Sequence, residues 1–140
     1  MTGISGCSKV DDLTFVKKGH TSFNKSVAVG EALDGYKYFG KKEWLTEKTP
    51  KGARLVIFKA EMNPQYIKET NEACAAQNNN GKIIASQKWS IQFTINKKNE
   101  IYVSGTQTLT ISTDKTNKSG ELSEALLKSV YGNQLAVVCL

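Results

Sequence analysis

The sequence predicts an α+β fold, a two-layer sandwich in which an antiparallel sheet of four to five strands carries helices on one face. Three observations lead there. Apolar residues alternate with polar ones over two long stretches, Ile83–Ile95 and Ile101–Ile111, joined by the short polar loop Lys97-Lys98-Asn99-Glu100. Each of these strands has one wet face, the pattern of a sheet covered on a single side. Segments with helical spacing fall between the strand pairs, and the order helix, hairpin, helix, hairpin, helix, strand is most simply packed as two layers.

Residues 1–20 have no periodicity and read as a flexible tether, leaving 21–140 as one domain. A first helix is expected from Ser26 to Phe39. Val29, Ala32, Leu33 and Tyr36 make its stripe, Ser26 its cap and Gly40 its stop. Gly30 and Gly35 weaken it, so packing against a close neighbour, such as a strand, must hold it. Lys42–Lys48 and Arg54–Met62 form a hairpin about Thr49-Pro50-Lys51-Gly52, where proline fixes φ and glycine admits positive φ. Asn63-Pro64 caps and opens a second helix reaching about Ala76, with Ile67, Thr70 and Cys74 aligned. After the second hairpin, Thr113–Ser119 reads as a polar loop and Gly120–Tyr131 as a third helix. The apolar tail Gln134–Leu140 reads as a final strand.

Composition narrows the class. The 140 residues are 39% hydrophobic, enough for one core. No stretch approaches the roughly 18 apolar residues that span a bilayer. The net charge is +6, spread over both halves, and Arg54 is the only arginine among nineteen basic residues. Nucleic-acid binders concentrate charge and favour arginine, whose fork pairs with phosphate and guanine. Here lysine points to a solvated surface, with weak attraction to anionic headgroups or envelope polyanions.

The cysteines are Cys7, Cys74 and Cys139. Ile4-Ser5-Gly6-Cys7 resembles a bacterial lipobox, in which an aliphatic and two small residues precede a lipidated cysteine. The basic and apolar parts of a full leader are not in these residues. The expectation is that residues 1–7 are the remnant of a signal peptide and that Cys7 carries a lipid anchor; the alternative is an accidental match on a frayed terminus. In lipoproteins of Gram-negative bacteria, a serine such as Ser8 after the cysteine implies an outer-membrane address facing the periplasm. With Cys7 acylated, Cys74 and Cys139 remain as a pair. They are either a disulfide, worth roughly 4 kcal/mol on chain-entropy grounds, or two separate buried thiols.

The element order, the helix start Val29-Gly30-Glu31-Ala32-Leu33 and the strands carrying Trp44 and Val56-Ile57-Phe58 together resemble the small helix-plus-sheet domains of bacterial envelope lipoproteins. Outer-membrane assembly lipoproteins and the β-lactamase-inhibitor-like fold are among these. The likeness is best over residues 26–62. It implies an architecture and carries over no functional residue.

No catalytic residue, metal site or cofactor is expected. His20 is the only histidine and sits in a basic stretch of the tether; a catalytic histidine needs an orienting carboxylate and a cleft. The carboxylates sit at surface or helix-opening positions, and no Walker, GxGxxG, HExxH or GxSxG pattern occurs. The segment Tyr36–Trp44 is the most unusual, because aromatics alternate with lysines in a way that can stack bases or sugars. Partner contact is therefore expected at Tyr38, Lys41, Lys42 and Trp44, with Tyr36 and Phe39 in the core. The wet sheet face, with Gln92, Thr94, Tyr102, Thr106, Thr108 and Thr110, is a second surface. The leading expectation is a non-catalytic envelope lipoprotein that binds an envelope protein or glycan. The alternatives are a cytosolic nucleic-acid module using residues 36–44 and an inhibitor-like protein-binding domain.

Overall fold

The computed structural model describes residues 11–76, 81–112 and 114–139. Cys7 and the lipobox-like stretch lie outside them. Among the described residues, four helices and five strands follow one another: α1 (Asp12–Lys18), α2 (Val29–Asp34), β1 (Phe39–Lys48), β2 (Arg54–Met62), α3 (Pro64–Ala76), β3 (Ile84–Ile95), β4 (Ile101–Ile111), β5 (Asn117–Glu121) and α4 (Glu124–Tyr131). The strands make one antiparallel meander in the order β1-β2-β3-β4-β5. The protein is α+β, as the alternation predicts.

Local chemistry fixes the turns. Between β1 and β2, Thr49 Oγ1 accepts from Ala53 N at 3.0 Å and Gly52 sits at φ 85°. A side chain there would be strained, which explains the glycine. Between β3 and β4, Asn96 Oδ1 accepts from the amides of Lys98 and Glu100 at 2.9 and 2.8 Å. Asn63 caps α3 by accepting from Tyr66 N at 2.9 Å.

Register then decides which side chains meet. Val56, Phe58 and Ala60 on β2 face the helices with Trp89, Ile91, Phe93 and Ile95 on β3 and Leu109 and Ile111 on β4, and all are buried. The helices return Val16, Val29, Leu33, Tyr66, Leu127 and Val130 to the same cluster. Each such side chain contributes about 1.5–3 kcal/mol by burial. Among the described residues no helix covers the other face of the sheet.

Four expectations change. Within the expected tether, Asp12–Lys18 is a helix: Asp11 caps it by accepting from Thr14 N at 2.7 Å, and Val16 is fully buried. Its single apolar turn was too short to show periodicity. The first long helix shrinks to α2, because Gly35 ends it and Phe39 already pairs with Met62. The close neighbour at Gly30 is α1, since a Cβ there would stand 2.9 Å from Lys17 Cβ. Residues 117–121, expected as loop and helix start, form β5, an edge strand too polar to alternate. The tail 134–139 is neither helix nor strand. Its apolar character serves packing instead: Ala136 is buried, its amide donates to Tyr36 OH at 3.2 Å, and its carbonyl accepts from Tyr66 OH at 2.6 Å. Cys74 and Cys139 are joined, closing 65 residues with their Cα atoms 5.5 Å apart.

Candidate functional site

The uncovered face is where side chains of separate strands converge without packing partners. Pairing places Glu43, Lys59, Ser90, Thr106 and Glu121 in one row across all five strands. The next row runs Glu61, Lys88, Thr108 and Ser119. Between them the sheet is dished into a cleft of about 310 Å³, walled by Lys41, Lys59 and Lys88 and floored by the hydroxyls of Ser90, Thr106 and Thr108. Toward the two hairpin loops the face turns apolar through Leu45, Leu55 and Ile57, with Tyr102 59% exposed.

Lys41 reaches this face through a bulge. Gly40 and Lys41 of β1 stand opposite Glu61 alone on β2, so Phe39 and Lys42 share the helix side while Lys41 lands with Lys59 and Lys88. Among the described residues none of these three lysines makes an ion pair. Their ammonium groups are therefore available to an anionic or hydroxylated ligand, and the serine and threonine hydroxyls can donate or accept beside them. Glu43 and Glu61 break the positive field into a checkerboard, which suits polar groups of both signs better than a uniform polyanion.

The other residues expected at a partner surface are placed differently. Tyr38 is buried: its hydroxyl donates to Glu69 Oε1 at 2.7 Å and its ring meets Tyr36 and Tyr66 edge-on at 5.5 and 5.9 Å. That hydrogen bond raises the Tyr38 pKa and lowers that of Glu69. Trp44 leans inward on Phe58 with ring centroids 4.8 Å apart. Its Nε1 donates to Asp34 Oδ1 at 3.0 Å and Lys17 Nζ lies 4.9 Å above the ring. Lys42 Nζ donates to Asp34 O at 2.8 Å. The helix ended before residue 36, so the spacing that put Tyr38 outside did not apply. Of the four candidates Lys41 and Lys42 border the cleft, and the Lys42 ammonium is turned away from it to Asp34 O. Sequence reasoning missed Lys59, Lys88 and Ser90, although the alternation of Lys59 with Phe58 and Ala60, and of Lys88 and Ser90 with Trp89, marks all three as outward. The strand register that joins them was the missing information.

His20 is exposed in the segment before α2. Among the described residues, no three of His, Cys, Asp and Glu are grouped to hold a metal ion, and no helix is long and apolar enough to cross a membrane. The most perturbed side chains are structural. Burial, the largest cause, pushes the Tyr66 hydroxyl up to about 12 and moves that of Tyr36 higher still. Both hydroxyls serve the tail. Comparison with protein-family models, curated proteins and solved structures finds no match to this chain.

Proposed function

We propose that this chain is a non-catalytic binding module of a bacterial envelope, held at the outer membrane by acyl chains on Cys7 and docking an envelope protein or glycan through its uncovered sheet face. The observation that carries the reading is the Cys74–Cys139 crosslink. Disulfides persist in oxidising compartments and are rare in a reducing cytosol. It accounts for two of the three cysteines and leaves Cys7, in its lipobox-like setting, as the thiol with another use. The docking surface is the cleft of Lys41, Lys59 and Lys88 with its hydroxyl floor. Anchoring and recognition are then separate: acyl chains hold the domain near the membrane, and α1 marks the point from which the domain is packed.

An inhibitor-like domain is the second reading, favoured by the apolar end of the same face, where Tyr102 is 59% exposed beside Leu55 and Ile57. The nucleic-acid reading loses its stacking platform, because the rings of Tyr38 and Trp44 pack inward.

The test expresses the native gene, upstream codons included, in a Gram-negative host fed an alkynyl fatty acid. The wild-type product is expected to take the label and sediment with membranes, and Cys7→Ala to do neither. An affinity-tagged protein should recover the same envelope component repeatedly, and Lys59→Glu with Lys88→Glu should lose it. Two free thiols at Cys74 and Cys139 in protein isolated from its native source would overturn the envelope assignment.

A further inference from the structure

The end of the sheet that carries two hairpin loops is also the end at which the chain enters the domain. Lys48, Arg54, Ile95 and Ile101 stand in one row across β1 to β4, so residues 49–53 and 96–100 project from the same end. Arg54 ties α1 to that row: its Nε donates to Asp12 Oδ1 at 3.1 Å and its Nη1 to Asn99 Oδ1 at 3.3 Å. The first turn of α1 therefore lies beside the loops. Asp11 is four residues from Cys7, a length of chain that reaches about 14 Å at most.

The same end is equipped for a lipid surface. Lys48 and Lys51 stand at one loop and Lys97 and Lys98 at the other. All four are exposed, and among the described residues none is in an ion pair. The acids of this end are mostly engaged: Asp11 accepts from Thr14 N, Asp12 from Arg54 Nε and Glu100 from Asn96 Nδ2 at 2.9 Å, which leaves Glu47. In the next row Tyr102, 59% exposed, stands with Thr94 and Leu55. A ring with an apolar body and a polar tip suits the headgroup level of a bilayer, and lysines near the surface are drawn to anionic headgroups.

We propose that this end of the domain is a lipid-contact surface, with the four lysines against the headgroups of an anionic bilayer and Tyr102 among them. Its orientation rests on the acylation of Cys7 proposed above. Acyl chains seated in the bilayer hold Asp11 within about 14 Å of Cys7, so the end built around Asp12 and Arg54 is the one that meets the lipid. The cleft of Lys59 and Lys88 is left open to its partner: its Thr106 lies five residues along β4 from Ile101, about 17 Å up the strand.

The test uses the full chain with its disulfide intact and Cys7→Ser, so that no acyl chain contributes. It is sedimented with vesicles of phosphatidylcholine alone or mixed with an equal amount of phosphatidylglycerol. Four lysine contacts predict half-binding near about 1 mM mixed lipid, release at about 0.5 M salt, and no binding to phosphatidylcholine. Replacing Lys48, Lys51, Lys97 and Lys98 by glutamine should weaken binding about fivefold per residue. The same change at Lys68, Lys82, Lys115 and Lys118, away from these loops, should alter it by less than about twofold. Tyr102→Trp should gain quenching by brominated lipid chains beyond that of Trp44 and Trp89 in the unsubstituted protein. No binding at about 5 mM mixed lipid, equal loss from the two lysine sets, or no added quenching in Tyr102→Trp would overturn the proposal. Because no acyl chain takes part, failure of these contacts is separate from failure of the fatty-acid label at Cys7, which would remove the anchor alone.

Discussion

Replacing both Cys74 and Cys139 by alanine should cost far more stability than the loss of their contacts. Cys74 is fully buried and its partner sits near the end of a tail that makes no strand. The crosslink closes 65 residues. In the chain-entropy relation such a loop restricts the unfolded chain by about 4 kcal/mol at 25 °C. For 140 residues the entropy of unfolding near 60 °C is about 0.3 kcal/mol/K, so the melting temperature should fall by about 15 °C. The folded state should change little, because Ala136 stays pinned by the hydroxyls of Tyr36 and Tyr66. The assay is thermal and urea unfolding followed by fluorescence of buried Trp89, with near-UV circular dichroism as the check that the alanine protein is native at the start. A native spectrum with a fall of under about 4 °C would refute the reasoning, since the unfolded chain would then not be what the crosslink restrains.

Three further outcomes follow from the packing. Tyr66→Phe removes the hydroxyl that donates to Ala136 O at 2.6 Å and lies 3.0 Å from Gln87 Oε1, and should cost about 1–3 kcal/mol in urea unfolding while leaving the melting transition single. The Tyr66 hydroxyl ionises near 10 when unfolded and is pushed up to about 12 by burial when folded, so the unfolded chain releases its proton first as pH rises. Stability is therefore level up to about pH 10 and falls through pH 12; a titration of the urea midpoint should show that fall, and Tyr66→Phe should lessen it. Gly30→Ala would press a methyl group to 2.9 Å from Lys17 Cβ, and should destabilise the α1–α2 contact by about 1–3 kcal/mol despite alanine's better helix propensity, measured by thermal unfolding.

The strands were legible where two physical signals agreed. Arg54–Met62 and Ile101–Ile111 came out to the residue because a period of two coincided with turn residues at both ends. The opening of α3 followed from Asn63-Pro64, whose cap chemistry is local. What stayed hidden depends on distant partners. Helix α1 is seven residues long and earns its place through Val16, which only the assembled core reveals. Strand β5 contains no large apolar residue and exists because β4 offers it an edge. Tail residues 134–139 looked like a strand because they are β-branched and apolar, but two tyrosine hydroxyls took the place of a neighbouring strand. For the candidate site, the wet face was readable from alternation alone. Which lysines meet on it required the register of β2 on β3, set by the two hairpin loops. Tyr38 misled because its neighbours Tyr36 and Phe39 were placed on a helix that ends at Asp34.

The meander has a bearing on how the chain matures. Every strand pairs with its neighbour in sequence, so the sheet can zip from hairpin to hairpin with little loop to close, the kind of topology that assembles early and fast. The last few residues must travel back across the molecule to meet α3. A chain released unfolded would thus build its sheet first and bring the two thiols together afterwards, making oxidation the closing latch of folding and leaving little occasion for wrong pairings along the way.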